Sequence, residues 1–470
     1  MFWTMFRSVL SSLHLFMSLS LFARKTVIRW WLVVAAPAVV FGQTNFTPSG
    51  PEYPIAGSLP GDQVYPAAAI NANGGYLVWQ DNSVAKTGVR IRAARLNDGL
   101  TVISNFLVSS VAKATTTGDQ EKPQVALLNG GGAVVVWQGG KHGFQKTYAR
   151  FIGPSGKFLL KQDVRVSAYP KYNQINPQVV TLTNGTVVIV WASDGQDGSM
   201  LGVFARLFSP AGKALGPEFQ VNQYTSFNQR TPGVAALASG NYVIVWISEL
   251  QRGPASVDAY ARQFSLSGPL GNEFPVNTDT NVICANPSVA ASPQGGFAVA
   301  WSQQAGAVNA VPSNPSDPTG ISPTDLGPGF PATVPSSDGW DVFGTVFDTN
   351  GVPVVPAPFR WNAYTYGDQY APRLSAVGSA YLAVWTSLSQ QDSQGNVIDP
   401  WEGVFGQFIT PSGTLVSSSD LHVNTTTVSR QIQPAVASDG VSRFLVVWSS
   451  FVGDTSFDLF AQQFLQTVSP

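Results

Sequence analysis

Seven tryptophans recur along this chain, each a nearly fixed distance after a proline. The pairs are Pro66/Trp79, Pro123/Trp137, Pro177/Trp191, Pro232/Trp246, Pro287/Trp301, Pro372/Trp385 and Pro434/Trp448, always 13 or 14 residues apart. A unit of about 55 residues present seven times constrains the architecture more than length does. The 470 residues would suggest about three domains by size alone, and the repeat makes them one.

Residues 217–268 show the unit. An extended Glu218-Phe219-Gln220-Val221-Asn222 leads through a polar connection to Gln229-Arg230-Thr231-Pro232. The runs Gly233–Leu237, Tyr242–Trp246 and Tyr260–Phe264 follow, separated by Gly, Asn and Ser turns. β-Branched and aromatic runs bounded by turn residues, with no helical period, are strands. The runs ending in Trp137 and Trp191 are apolar on both faces, as expected of strands sandwiched between sheets. Four strands per unit, seven times over, predict an all-β, seven-bladed β-propeller with four antiparallel strands per blade. The alanine-rich run of each unit is expected innermost.

The two ends of the chain are expected to close the ring. Residues 50–56 match the fourth-strand sequence at 271–277, and residues 458–464 read as a third strand with no fourth strand after it. The predicted organisation is a signal peptide or amino-terminal anchor at 1–42, a linker at 43–49 and a propeller at 50–470. The propeller carries insertions at about 303–340 and 389–402. Arg24, Lys25 and Arg29 precede the apolar run Trp30–Phe41, with Val40-Phe41-Gly42 as the exit. That pattern reads as a secretory signal cleaved near residue 42. A second apolar stretch at 8–23 leaves open an uncleaved anchor or a start at Met17.

The net charge of −1 offers no general attraction to nucleic acid or anionic membrane. Contact with a membrane is expected only through an uncleaved amino-terminal segment. The protein is expected at the cell surface or outside the cell, as a monomer. Cys284 is the single cysteine, so no intramolecular disulfide forms, and it reads as a small buried residue. The sequence lacks Gly-x-Ser-x-Gly, His-Glu-x-x-His, phosphate-loop and Asp-x-Asp-x-Asp-Gly patterns. With only His14, His142 and His422, no cofactor and no metal are expected.

Gln63, Gln120, Gln174, Gln229, Gln369 and Gln431 each lie three residues before the repeat proline, with Cys284 in that place in the fifth unit. A residue that recurs in nearly every unit answers a need of every unit, so these glutamines are read as structural. Function is expected where the repeat is broken. The two insertions lie in units five and six, between the second and third strands. They bring Trp340, Trp401, Asp338, Asp392, Asp399 and Glu402, and the connection after unit five brings Trp361, Tyr364, Tyr366 and Tyr370. Aromatics and carboxylates on one face suit a carbohydrate or protein ligand. The expected ligand-binding set is therefore Trp340, Trp361, Tyr364, Tyr366, Tyr370, Trp401, Glu402 and Asp399. The expected function is an exported binding or structural module. The alternative is a carbohydrate-active enzyme, glycosidase or lyase, that uses the loop carboxylates.

The pattern Pro-x-Val-Ala-x-Leu, Val-Val-Trp, Phe-Ala-Arg-x-Phe and Glu-Phe-x-Val-Asn resembles the propeller-like repeats of uncharacterised bacterial secreted and surface proteins. Those repeats often stand beside calcium-binding or adhesin modules. The resemblance covers residues 50–465 and implies fold and export, with no defined activity.

Overall fold

A computed structural model of the chain describes residues 44–83, 88–109, 118–305, 339–391, 394–453 and 456–468. The amino-terminal apolar segment, residues 306–338 of the first insertion, and Asp392 lie outside the described residues. The described residues are all-β, with no helix.

Each repeat folds as an antiparallel sheet. Unit one runs Gln63–Asn71, Gly74–Asp81, Arg90–Leu96 and Val102–Leu107, each strand paired with the next. Units two, three and six are likewise four-stranded, beginning at Gln120, Gln174 and Gln369. Units four and five, beginning at Gln229 and Val282, are joined into one nine-stranded sheet by a single parallel bridge, Val257 to Ile283. Unit seven combines Gln431–Ser438, Arg443–Val452 and Ser456–Val468 with strands from the amino-terminal side.

That last sheet bears on the expected meeting of the chain ends. Tyr53 and Pro54 pair with Ala461 and Phe460, within the segments expected to pair. Residues 44–48, expected as linker, instead form a strand: Thr44–Pro48 runs antiparallel to Phe464–Val468. The third strand of unit seven, Ser456–Val468, runs on past Phe464, which leaves an edge for this extra partner.

The repeat tryptophans join successive units. All seven are 0–1% exposed. Trp137 packs with Ala67 and Val78 of unit one, Trp191 with Val134 and Val136 of unit two, and Trp246 with Val188 and Val190 of unit three. Trp448 packs with Leu382 and Val384 of unit six, and Trp79 of unit one packs with Leu445 and Val447 of unit seven. First strands are neighbours in the same order, and that of unit seven lies beside that of unit one.

Polar staples reinforce this order. Glu218 accepts the backbone N–H groups of Ala168 and Tyr169, at 2.7 and 3.2 Å. Asp420 does the same for Ala363 and Tyr364, at 2.8 and 3.3 Å, and Glu52 for Thr425 and Thr426, at 2.6 and 3.1 Å. Glu52 thus does for units six and seven what Glu218 does for units two and three. The recurring glutamines are buried and donate to loop carbonyls: Gln174 Nε2 to Lys171 O at 2.6 Å, Gln229 Nε2 to Ser226 O at 2.8 Å, Gln369 Nε2 to Tyr366 O at 2.8 Å. They satisfy carbonyls that a buried turn would leave without donors.

Candidate functional site

The eight residues expected to form a ligand face differ widely in exposure. Trp361 is fully buried. It stands where units one to four and six carry a valine, because its N–H donates to Val342 O at 2.8 Å just as Val221 donates to Val203 O and Val423 to Val404 O. It is therefore a repeat residue of unusual size, not an addition to the repeat. Trp340 and Tyr370 are each 4% exposed and share a core with Cys284. Burial pushes the Tyr370 phenol pKa up, as it does the Cys284 thiol.

Asp399 is also buried. Its Oδ2 accepts from Asn424 Nδ2 at 3.1 Å, the bond that Asp341 makes with Asn362 one unit earlier. Unit six has Gly403 in the position of Asp341, two residues before the strand aromatic, and a methyl group on Gly403 would lie 2.5 Å from Asp399 Oδ2. Asp399 thus reaches back to supply a carboxylate its own strand lacks. Glu402 is paired with Arg430, whose Nε lies 2.8 Å from Glu402 Oε2. Trp340, Trp361, Tyr370 and Asp399 accordingly have almost no surface to offer a ligand. Of the three tryptophans only Trp401 is exposed, and Tyr364 and Tyr366 are half-buried. The 389–402 insertion is mainly a lengthening of the strands Tyr381–Gln391 and Val397–Ile409.

A different set of residues converges at the centre. In every unit the first strand carries a register shift at the repeat proline, between Val64 and Ala67 in unit one and between Ile432 and Ala435 in unit seven. The residue before each proline is left-handed. Tyr65, Lys122, Asn176, Thr231, Asn286, Ala371 and Gln433 have φ between 49° and 56°. Such bulges re-aim side chains, and here all seven residues line one cavity of about 110 Å³ together with Pro66, Pro123, Pro177, Pro232, Pro287, Pro434, Gln124, Gln178 and Arg373. The bulge lies near the start of the first strand, beside the end of the second, so the cavity opens towards the end from which the insertions leave.

The backbone at this mouth is held by neighbouring units. Lys122 N donates to Gln80 Oε1 at 2.7 Å, Asn176 N to Gln138 Oε1 at 2.8 Å, Tyr65 N to Gln433 Oε1 at 2.9 Å and Ala371 N to Ser302 Oγ at 2.8 Å. Lys122 Nζ stands 6.0 Å from the centre of the Tyr65 ring. Arg373 is open to water but crowded by protein, which lowers its pKa, with Tyr65 opposing that shift. A guanidinium so placed remains charged. The lining holds two cations, a phenol, amides and a hydroxyl, and no carboxylate. A deeper cavity of about 170 Å³ shares Pro66, Gln124, Gln178 and Arg373 with the first. A third, lined mainly by small apolar residues, opens beyond it and shares Ala68, Val234 and Leu374 with the second. The sequence signal for this site is the residue just before each constant repeat proline, which varies among the units.

No protein-family model matches the chain, and no curated protein matches its sequence. Solved structures do resemble it. The polysaccharide lyase Uly1 superposes with a TM-score of 0.51 at 8% identity, covering 88% of this chain and 90% of that one. An α-L-arabinofuranosidase from Fusarium graminearum gives 0.47 at 13% identity, covering 79% and 99%. The β-propeller domain of the Trilobed protease from Pyrococcus furiosus gives 0.43 at 6%, covering 86% and 94%. At such identities the likeness is one of fold.

Proposed function

We propose that the chain is an exported seven-bladed β-propeller that acts on an acidic polysaccharide at its axial mouth. The seven left-handed residues lining one cavity, the cyclic order of the tryptophan cores and the pairing of the amino- and carboxy-terminal strands support the closed ring. One observation carries the functional reading: among the described residues the mouth offers Lys122 and Arg373 and no carboxylate. Two cations in a narrow cleft favour an anionic group such as a uronate carboxylate.

The same lining favours one of the two routes of sugar cleavage. Hydrolysis uses a pair of carboxyl groups about 5–10 Å apart, and among the described residues the lining of the mouth supplies none. β-Elimination needs a cation on the uronate carboxylate and a group that moves a proton. Arg373 suits the first role, and Tyr65 beside Lys122 the second. The base takes the proton on the carbon next to the carboxylate. Its electron pair forms the new carbon–carbon double bond, the bond to the glycosidic oxygen breaks, and that oxygen takes up a proton. That a polysaccharide lyase has a similar fold supports this route. Trp401, Tyr364 and Tyr366 remain to flank a longer sugar chain on the same side.

The test is a panel of polyuronates and neutral polysaccharides incubated with the purified protein. Retention in affinity electrophoresis and the ultraviolet absorbance of unsaturated uronate are followed together. Retention on polyuronates with growing absorbance is expected. Retention without product would leave a binding module. Retention on neutral polymers alone, or on none, would overturn the reading.

A further inference from the structure

Away from the axial mouth, one group of side chains has the make-up of a metal site. Asp119, Glu121 and His142 each bring a ligand atom to within 4.8 Å of the other two. The backbone explains the meeting. Asp119 and Glu121 are two apart where the first strand of unit two begins, so both side chains leave on one face. Glu121 is the register partner of Gln138, and the turn after that strand carries His142 back over the pair.

The two carboxylates are already oriented. Glu121 Oε2 accepts from Gln145 Nε2 at 2.7 Å and from Gln138 Nε2 at 3.2 Å. Asp119 Oδ1 accepts from Val89 N at 2.9 Å. Outer-shell bonds of this kind fix metal ligands. The other oxygen of Glu121, Oε1, lies 3.7 Å from His142 Nε2. That is too long for a hydrogen bond. It is close to the roughly 3.4 Å edge between two ligands held about 2.1 Å from one tetrahedral ion.

We propose that Asp119, Glu121 and His142 bind a first-row divalent transition ion, zinc foremost. Imidazole with two carboxylates suits zinc better than calcium, which takes oxygen ligands. His142 is largely exposed, so the open coordination positions would be filled by water. Glu121 directly precedes Lys122 of the mouth, so an ion here would stiffen the strand entrance that presents that lysine.

The experiment is isothermal calorimetry of chelator-treated protein, prepared without a histidine tag and titrated with zinc, manganese and calcium chlorides. One zinc per chain is expected, bound more tightly than calcium. His142→Ala and Asp119→Asn should each weaken it about tenfold or more. His142 is exposed, so its replacement should leave the circular dichroism spectrum unchanged. No saturable zinc binding, unchanged affinity in His142→Ala, or preference for calcium would each overturn the proposal.

Discussion

Trp361 lies directly over Gly344: a methyl group on the glycine would stand 2.3 Å from Trp361 Cζ2. Units three and four place alanine opposite valine here, as Ala205 and Val221 and as Ala261 and Val276. Unit five reaches a similar fill with a small residue facing a large one. Gly344→Ala should therefore destabilise the protein by about 1–3 kcal/mol through overpacking. Adding Trp361→Val should recover part of the loss, because residues in contact are not additive. Urea denaturation of the two single variants and the double variant checks this, and strictly additive effects would contradict it.

Glu52 should matter more than an exposed carboxylate usually does. It receives two backbone N–H groups of the 425–426 connection while its neighbours Tyr53 and Pro54 pair with the last strand. Glu52→Ala should lower stability by roughly 1–3 kcal/mol, the range for leaving such groups without partners. Deleting residues 44–57 should expose strand edges and cause aggregation, measured by light scattering. A deletion variant that stays monomeric with unchanged Tm would refute the role assigned to this segment.

Asp420 gives a pH dependence of definite sign. Burial pushes its pKa up from 3.8 to about 6, against the bonds from Ala363, Tyr364 and Gln390 that favour the carboxylate. The folded state holds the proton more tightly than the unfolded chain. Its contribution is thus full below about pH 4 and is lost as pH rises through about 6. Relative to Asp420→Asn, the natural protein should lose stability over that window. Denaturation midpoints of both proteins from pH 4 to 7 test this, and a constant difference between them would contradict it.

Much of the scaffold was legible because its period is enforced by packing. Every unit places a tryptophan against its neighbour and all but the fifth a glutamine under its loop carbonyls, so both recur in the sequence. The site was not legible for the same reason. Trp361 stood out because it was compared with valines, and only the structure shows that Gly344 makes room for it. Asp399 read as a loop carboxylate because the missing carboxylate at Gly403 cannot be seen without coordinates. Tyr65, Lys122 and Arg373 drew no notice singly. They meet because seven bulges distant in sequence line one cavity, a relation with no local signature.

Thr231 is the β-branched member of the left-handed set, with φ 49° and no hydrogen bond to its buried Oγ1. Asparagine holds the same place at Asn176 and Asn286 and tolerates that conformation better. Thr231→Asn should raise stability by about 0.5–1 kcal/mol, since αL costs an ordinary residue about 1–2. A lower Tm would show that the hydroxyl has a role beyond the bulge.

The central claim is that the axial mouth holds an anionic sugar through Lys122 and Arg373. The most direct measurement is the affinity of Lys122→Gln, Arg373→Gln and the double variant for the polyuronate that the natural protein retains best. Circular dichroism and Tm of each variant monitor the fold. Each single change should weaken binding about tenfold or more, consistent with about 1.5–3 kcal/mol for a charge-assisted bond, and the double variant should not bind. Unchanged affinity in the folded double variant would contradict the account.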